Sequence, residues 1–113
     1  METTKDDSKV IDALNDIDRL IHEPARLMIM AYLYVVDSAD FLFLVRQTGL
    51  TLGNLSSHMS RLEAAGYIQV EKTFKGKKPH TMLRLTDEGR GAFRKYRQRM
   101  EQVFGDTSTL PED

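Results

Sequence analysis

The sequence predicts a mainly α-helical fold carrying one small β-hairpin, in the order α-α-α-α-β-β-α. Three observations carry that prediction. Leu50 to Gly66 (LTLGNLSSHMSRLEAAG) reads as a capped amphipathic helix over 52–65, with Leu52, Leu55, Met59 and Leu62 on one face at spacings of three and four. Only Gly49, Leu50 and Thr51 separate it from the helical pattern before it, which is the spacing of a helix-turn-helix. Tyr67 to Leu85 then alternates apolar and polar residues on either side of a Lys/Gly/Pro turn. At 113 residues the chain suits one core.

Residues 1–8 lack apolar periodicity and are expected to be a disordered arm. From Val10 a helical stripe runs through Ile11, Leu14, Ile17, Leu20 and Ile21 until His22-Glu23-Pro24 breaks it. Pro24 suits the first turn of the next helix, about 24–36, which is apolar over most of its circumference and is expected to be central. Asp37-Ser38 offers an N-cap for a short helix over about 39–48, with Phe41, Leu42, Leu44 and Val45 inward and Gly49 as its stop. Thr51 caps the helix 52–65, and Gly66 ends it. Ile68, Val70 and Phe74 alternate with Gln69, Glu71 and Thr73 in a first strand over 67–74. The turn spans 75–79, and Thr81, Leu83 and Leu85 mark the returning strand over 80–85. Thr86 caps a last helix over 87–104, with Asp87 and Glu88 in its first turn and Phe93, Tyr96, Met100 and Val103 as its stripe. Gly105 is the expected stop before a polar tail over 105–113. The core domain is thus 9–86, with 87–104 as a terminal helix.

Composition excludes several classes. With no cysteine there is neither a disulfide framework nor a thiolate metal site, and His22, His58 and His80 are scattered. No stretch approaches the length of a membrane helix, and the polar start is unlike a signal peptide, so a cytoplasmic location is expected. No nucleophile elbow, phosphate loop or paired helical histidines appears, so no catalytic, cofactor or metal residue is assigned. The net charge of −1 hides an uneven distribution. Residues 1–50 hold five Lys/Arg against nine Asp/Glu, 51–100 hold eleven against four, and 101–113 hold none against four. The basic block sets a local potential that the average conceals.

The outward face of 52–65 is Gly53, Ser57, Ser60 and Ala64, flanked by Asn54 and Arg61. A solvated face would carry Glu, Lys and Gln, and Gly53 costs about 1 kcal/mol against Ala. Small hydrogen-bonding side chains around one arginine suit close approach to a DNA major groove. Close packing on another helix is the alternative. Asn54 can pair bidentately with adenine, Arg61 with guanine or phosphate, and serine hydroxyls with either. Lys75, Lys77 and Lys78 at the hairpin tip suit phosphates, or guard an exposed edge. His58 lies at the edge of the apolar face, in a structural or phosphate-bonding position. The stripe on the last helix needs cover from a second copy of the chain or from the chain's own first helix. The first option places Leu14, Ile17, Phe93, Tyr96, Met100 and Val103 in a dimer interface.

This order is that of a winged helix-turn-helix domain, and the sequence resembles the MarR- and ArsR-type regulators. Thr51 to Ser56 running through Arg61 to Ile68 is similar to their recognition helix and first wing strand. Leu85-Thr86-Asp87-Glu88-Gly89-Arg90 resembles the "LT-x-x-G" junction after the wing, and His22 to Leu27 resembles the start of the second helix in short single-domain members. The resemblance spans about residues 10–90. It implies a homodimeric transcription regulator, probing an inverted repeat in double-stranded DNA with one recognition helix per half-site. Carried over by position, Thr51, Asn54, Ser56, Ser57, Ser60 and Arg61 are the implied DNA contacts, with Lys75, Lys77 and Lys78 on the wing. The chain departs from MarR-type wings in having lysines where they carry a tip arginine, and from ArsR-type sensors in lacking metal ligands. It is shorter than MarR proteins whose flanking helices frame a ligand pocket, so no effector is assigned. The competing reading is a winged-helix module that docks on protein through the Gly53/Ser57/Ser60/Ala64 face.

Overall fold

A computed structural model describes residues 5–107. In chain order the elements are α1 (Lys5–Asn15), α2 (Pro24–Val35), β1 (Ala39–Asp40), α3 (Phe41–Thr48), α4 (Leu52–Ala64), β2 (Ile68–Lys75), β3 (Lys78–Leu85) and α5 (Asp87–Thr107). The sheet is antiparallel with order β1-β3-β2. Its core face and α2, α3 and α4 bury one cluster, in which Ile21, Ile29, Met30, Leu33, Leu44, Leu55, Leu62 and Leu83 are fully enclosed. Each such side chain contributes about 2 kcal/mol by leaving water.

The first helix departs from the stripe that predicted it. It stops at Asn15, because Asp18 turns its carboxylate onto the backbone N–H groups of Leu20 (2.9 Å) and Ile21 (3.3 Å). That local bonding competes with helix. Ile17 and Ile21 are buried all the same. The helix also begins at Lys5, inside the segment expected to be a disordered arm; residues 1–4 lie outside those described. Glu23 then caps α2, its side chain accepting from Arg26 N at 2.8 Å, with Pro24 in the first turn as expected. Although α2 is central, its Met28 and Val35 face solvent.

The expected cap at Asp37-Ser38 is displaced. Ala39–Asp40 instead form the short strand β1, pairing Ala39 with Leu83 and Asp40 with Met82, and α3 starts at Phe41. Gly49 ends α3 in the left-handed region (φ 73°), and Thr51 caps α4 by accepting from Asn54 N at 3.1 Å. Strand β2 runs one residue later than predicted and β3 starts two residues earlier, so the turn shrinks to Gly76-Lys77, with a positive φ at Gly76 only. That is the pattern of a type II′ hairpin turn.

Thr86 closes the wing onto α5: its hydroxyl donates to the Gly66 carbonyl (2.6 Å) and accepts from Gly89 N (2.9 Å). Gly89 is required there, because a Cβ would lie 2.0 Å from the Tyr67 carbonyl oxygen. Helix α5 continues through Gly105 to Thr107, past the predicted stop, and residues 108–113 lie outside those described. It packs along α1 of its own chain. Arg99 pairs with Asp16 at 2.6 Å, and His22 Nδ1 and the Tyr96 hydroxyl are 2.8 Å apart. The molecule is elongated, 67 × 30 × 22 Å, and its radius of gyration of 17.5 Å exceeds the roughly 13 Å of a compact chain this long.

Candidate nucleic-acid interface

Helix α4 is fastened to the body by Leu55, Met59 and Leu62, all buried. Leu52, expected beside them, is 57% exposed and belongs to the outer surface instead. It occupies the first turn, at the rim of the core. Thr51, Gly53, Asn54, Ser56, Ser57, Ser60, Arg61 and Ala64 are all exposed. Six residues predicted from the sequence as DNA contacts therefore share one open surface. A Cβ on Gly53 would meet nothing within 4 Å, so no close helix packing within the chain calls for glycine at that position.

The back of α4 carries a polar anchor that the sequence did not reveal. Arg26, only 8% exposed, donates from Nε to the Leu20 carbonyl (2.6 Å) and from a terminal guanidinium nitrogen to His58 Nδ1 (3.1 Å). A guanidinium has no acceptor, so His58 Nδ1 is the acceptor of that bond. Glu23 Oε2 lies 3.9 Å from Arg26 and 3.7 Å from His58. Burial pushes the Glu23 carboxyl up. The backbone N–H groups of Arg26 and Ala25, with the nearby Arg26 guanidinium, outweigh it and hold the pKa below its usual value. His58 thus ties α4 to the N-terminus of α2. The Glu23-Pro24 cap was legible in the sequence; the burial of Arg26 was not, because arginine is almost never interior.

The wing projects beside this surface. Lys75, Lys77 and Lys78 are exposed, as is Lys72, which sequence reasoning passed over. Phe74, expected to face the core, is 72% exposed. Two rungs from the hairpin's closing pair, His80 Nε2 lies 3.4 Å from Asp40, beside the start of α3. The Tyr67 hydroxyl donates to Asp18, and burial followed by that hydrogen bond pushes its pKa up to about 12. Burial also raises the pKa of Tyr96.

Of the residues assigned to a dimer interface, Ile17, Tyr96 and Val103 are buried within the chain, and Phe93 and Met100 pack half-buried against its core. Leu14 is 44% exposed. The α5 stripe is therefore covered largely by its own chain, the option raised beside dimerisation. Basic α5 residues also have structural partners: Arg90 bonds the Tyr34 carbonyl and lies over its ring, and Arg97 pairs with Glu101. Among the described residues no group of His, Asp and Glu could hold a metal ion, and no helix is long and apolar enough to cross a membrane.

A helix-turn-helix with its second helix exposed, followed by a basic hairpin, defines a winged helix-turn-helix protein. Residues 25–104 match the winged helix DNA-binding domain, and the chain belongs to that family. It is similar to an uncharacterized protein of Methanocaldococcus jannaschii, 31% identical over 78 residues that cover 69% of this chain and 85% of the relative. Its fold is similar to a transcriptional regulator homologue from Pyrococcus horikoshii OT3 (TM-score 0.78, 26% identity, covering 91% of this chain and 99% of that one). A MarR mutant from E. coli complexed with operator DNA shares the fold (TM-score 0.63, 18% identity, 96% and 76% covered). The winged helix-turn-helix reading of the sequence is borne out by the family match, and the Pyrococcus horikoshii neighbour is a transcriptional regulator homologue.

Proposed function

We propose that this protein is a sequence-specific double-stranded DNA-binding transcription regulator, a homodimeric repressor that lays α4 in the major groove. The observation that carries the reading is the open face of α4. Thr51, Asn54, Ser56, Ser57, Ser60 and Arg61 stand exposed on a helix locked from behind by Leu55, Met59, Leu62 and the Arg26–His58 bond. Asn54 supplies one donor and one acceptor for an adenine edge, Arg61 supplies two donors for guanine, and the hydroxyls supply phosphate or base contacts. Lys75, Lys77 and Lys78 follow the flanking backbone, where each cation that neutralises a phosphate releases a counterion. Bound operator DNA is withheld from polymerase, which is how occupancy alone represses.

The homodimer is proposed through α1 and α5, the domain's terminal helices. Ile11 (54% exposed) and Leu14 (44%) sit three residues apart on α1, forming an apolar strip beside the stripe that α5 already covers. The reading is tested by fluorescence anisotropy with duplexes selected from a random library. Selection of a sequence with dyad symmetry, bound by a protein that sediments as a dimer, supports it. Binding that ignores sequence, or a docking protein displaced by substitutions on α4, contradicts it.

A further inference from the structure

The tip of the wing carries an apolar pair that the protein leaves in water. Phe74 is 72% exposed and stands opposite Pro79, which is exposed as well. The register explains the pairing. A two-residue loop makes Lys75 and Lys78 the closing hydrogen-bonded pair, so Phe74 and Pro79 form the next, non-hydrogen-bonded pair. Side chains approach most closely in such a pair, and the N–H that proline lacks would not have joined the ladder with β2. Phe74 shares its strand face with Lys72, Val70 and Ile68. Ile68 is buried and Val70 half-buried against the core, but Phe74 lies four residues beyond Val70, roughly 13 Å further out. Among the described residues, its ring joins neither the core cluster nor an aromatic pair.

The surroundings select the occupant. Lys72 shares the strand face of the pair, and Lys75, Lys77 and Lys78 stand at the adjoining turn, Lys75 and Lys78 on the opposite face; all are exposed. An apolar ring on a cationic hairpin tip complements a groove whose walls are phosphates and whose floor is stacked bases. With α4 in a major groove, the neighbouring minor groove lies half a helical turn away, roughly 17 Å along the axis. Phenylalanine and proline are among the side chains that enter minor grooves as wedges between base steps.

Resting on the DNA-binding reading above, we propose that Phe74, backed by Pro79, wedges into the minor groove beside each half-site at a pyrimidine–purine step. Such steps unstack and kink most easily, so the wing selects TA or CA/TG through deformability although its lysines read no base. The wing then contributes specificity as well as charge.

The test uses the full chain, duplexes recovered by selection from a random 30-bp library, and 2-aminopurine in place of adenine at the flanking step. The wild type is expected to enrich a pyrimidine–purine step there and to raise 2-aminopurine fluorescence on binding. Phe74→Ala loses that rise and binds roughly tenfold more weakly, the effect of removing one aromatic stacking contact, while the salt dependence of binding is unchanged. Lys77→Gln does the reverse: the slope falls and the fluorescence rise is kept. Circular dichroism checks that both variants fold. Wild-type binding with no flanking preference and a quenched probe overturns the wedge but leaves the DNA reading standing, as does a Phe74→Ala protein that binds and unstacks like wild type. Failure to select any duplex overturns both, and Phe74-dependent binding to phosphatidylglycerol vesicles would then give the tip to a lipid surface.

Discussion

Gly89→Ala is a severe test of how the wing joins α5. The added methyl would sit 2.0 Å from the Tyr67 carbonyl oxygen and 2.8 Å from its carbon, where ordinary contact begins at 3.4 Å. Those atoms are backbone and cannot rotate away. Relief requires the first turn of α5 to move off the end of α4. That motion loosens Thr86 N to Tyr67 O (3.0 Å) and the Thr86 hydroxyl to Gly66 O (2.6 Å). The two hydrogen bonds are worth about 1 kcal/mol each, and overpacking adds about 1–3 kcal/mol. Alanine returns about 1 kcal/mol of helix propensity. The net loss is about 2–4 kcal/mol, a fall in Tm of roughly 10 °C or more. Gly91→Ala, two residues along the same helix, meets nothing within 4 Å. It should gain up to about 1 kcal/mol. Urea denaturation followed by circular dichroism measures both. Equal midpoints for the two variants, or a gain for Gly89→Ala, would refute the packing argument.

Three further outcomes are expected. Arg61→Ala, on the exposed face of α4, should leave the melting temperature within about 1 °C and weaken binding to a selected duplex roughly tenfold; unchanged anisotropy titrations would remove Arg61 from the interface. Glu23 has a folded pKa below its unfolded value, so its contribution to stability is present above about pH 4.5 and is lost as pH falls through the lower folded pKa. Glu23→Gln should therefore flatten the acid limb of the stability profile, and a limb as steep as the wild type's would contradict the assignment. Ile11→Glu with Leu14→Glu, both on the solvent side of α1, should shift sedimentation from dimer to monomer at micromolar concentration without unfolding the chain; a persistent dimer would place the interface elsewhere.

The recognition helix and its caps were legible because their causes are local. Thr51 accepts from Asn54 N, Gly49 supplies the left-handed turn, and the Leu55/Met59/Leu62 spacing decides which side is buried. The hairpin was legible from alternation and Gly76. What escaped depends on distant partners. A two-residue strand at Ala39–Asp40 exists only because β3 pairs with it. The break after Asn15 needs Asp18 to turn back on Leu20 and Ile21 while it holds the Tyr67 hydroxyl, from a residue 49 positions away. Periodicity placed Leu52 and Phe74 on apolar faces correctly, but the core does not extend beneath either of them. The Arg26–His58 bond joins two helices whose sequences give no sign of each other. For the candidate site, the residues of α4 and the wing lysines that the sequence singles out by their chemistry are all exposed, as is Lys72, which lies unmarked among strand residues.

The central claim is that the open face of α4 reads DNA. A salt titration of binding to the DNA upstream of this protein's own gene, beside a scrambled duplex, tests it most directly. A dimer neutralising roughly eight phosphates gives a log–log slope of about −7. The account predicts that slope and a preference for the native fragment of about a thousandfold. Equal binding to both duplexes would contradict sequence-specific regulation at that site, and no binding to either at low salt would contradict the claim itself.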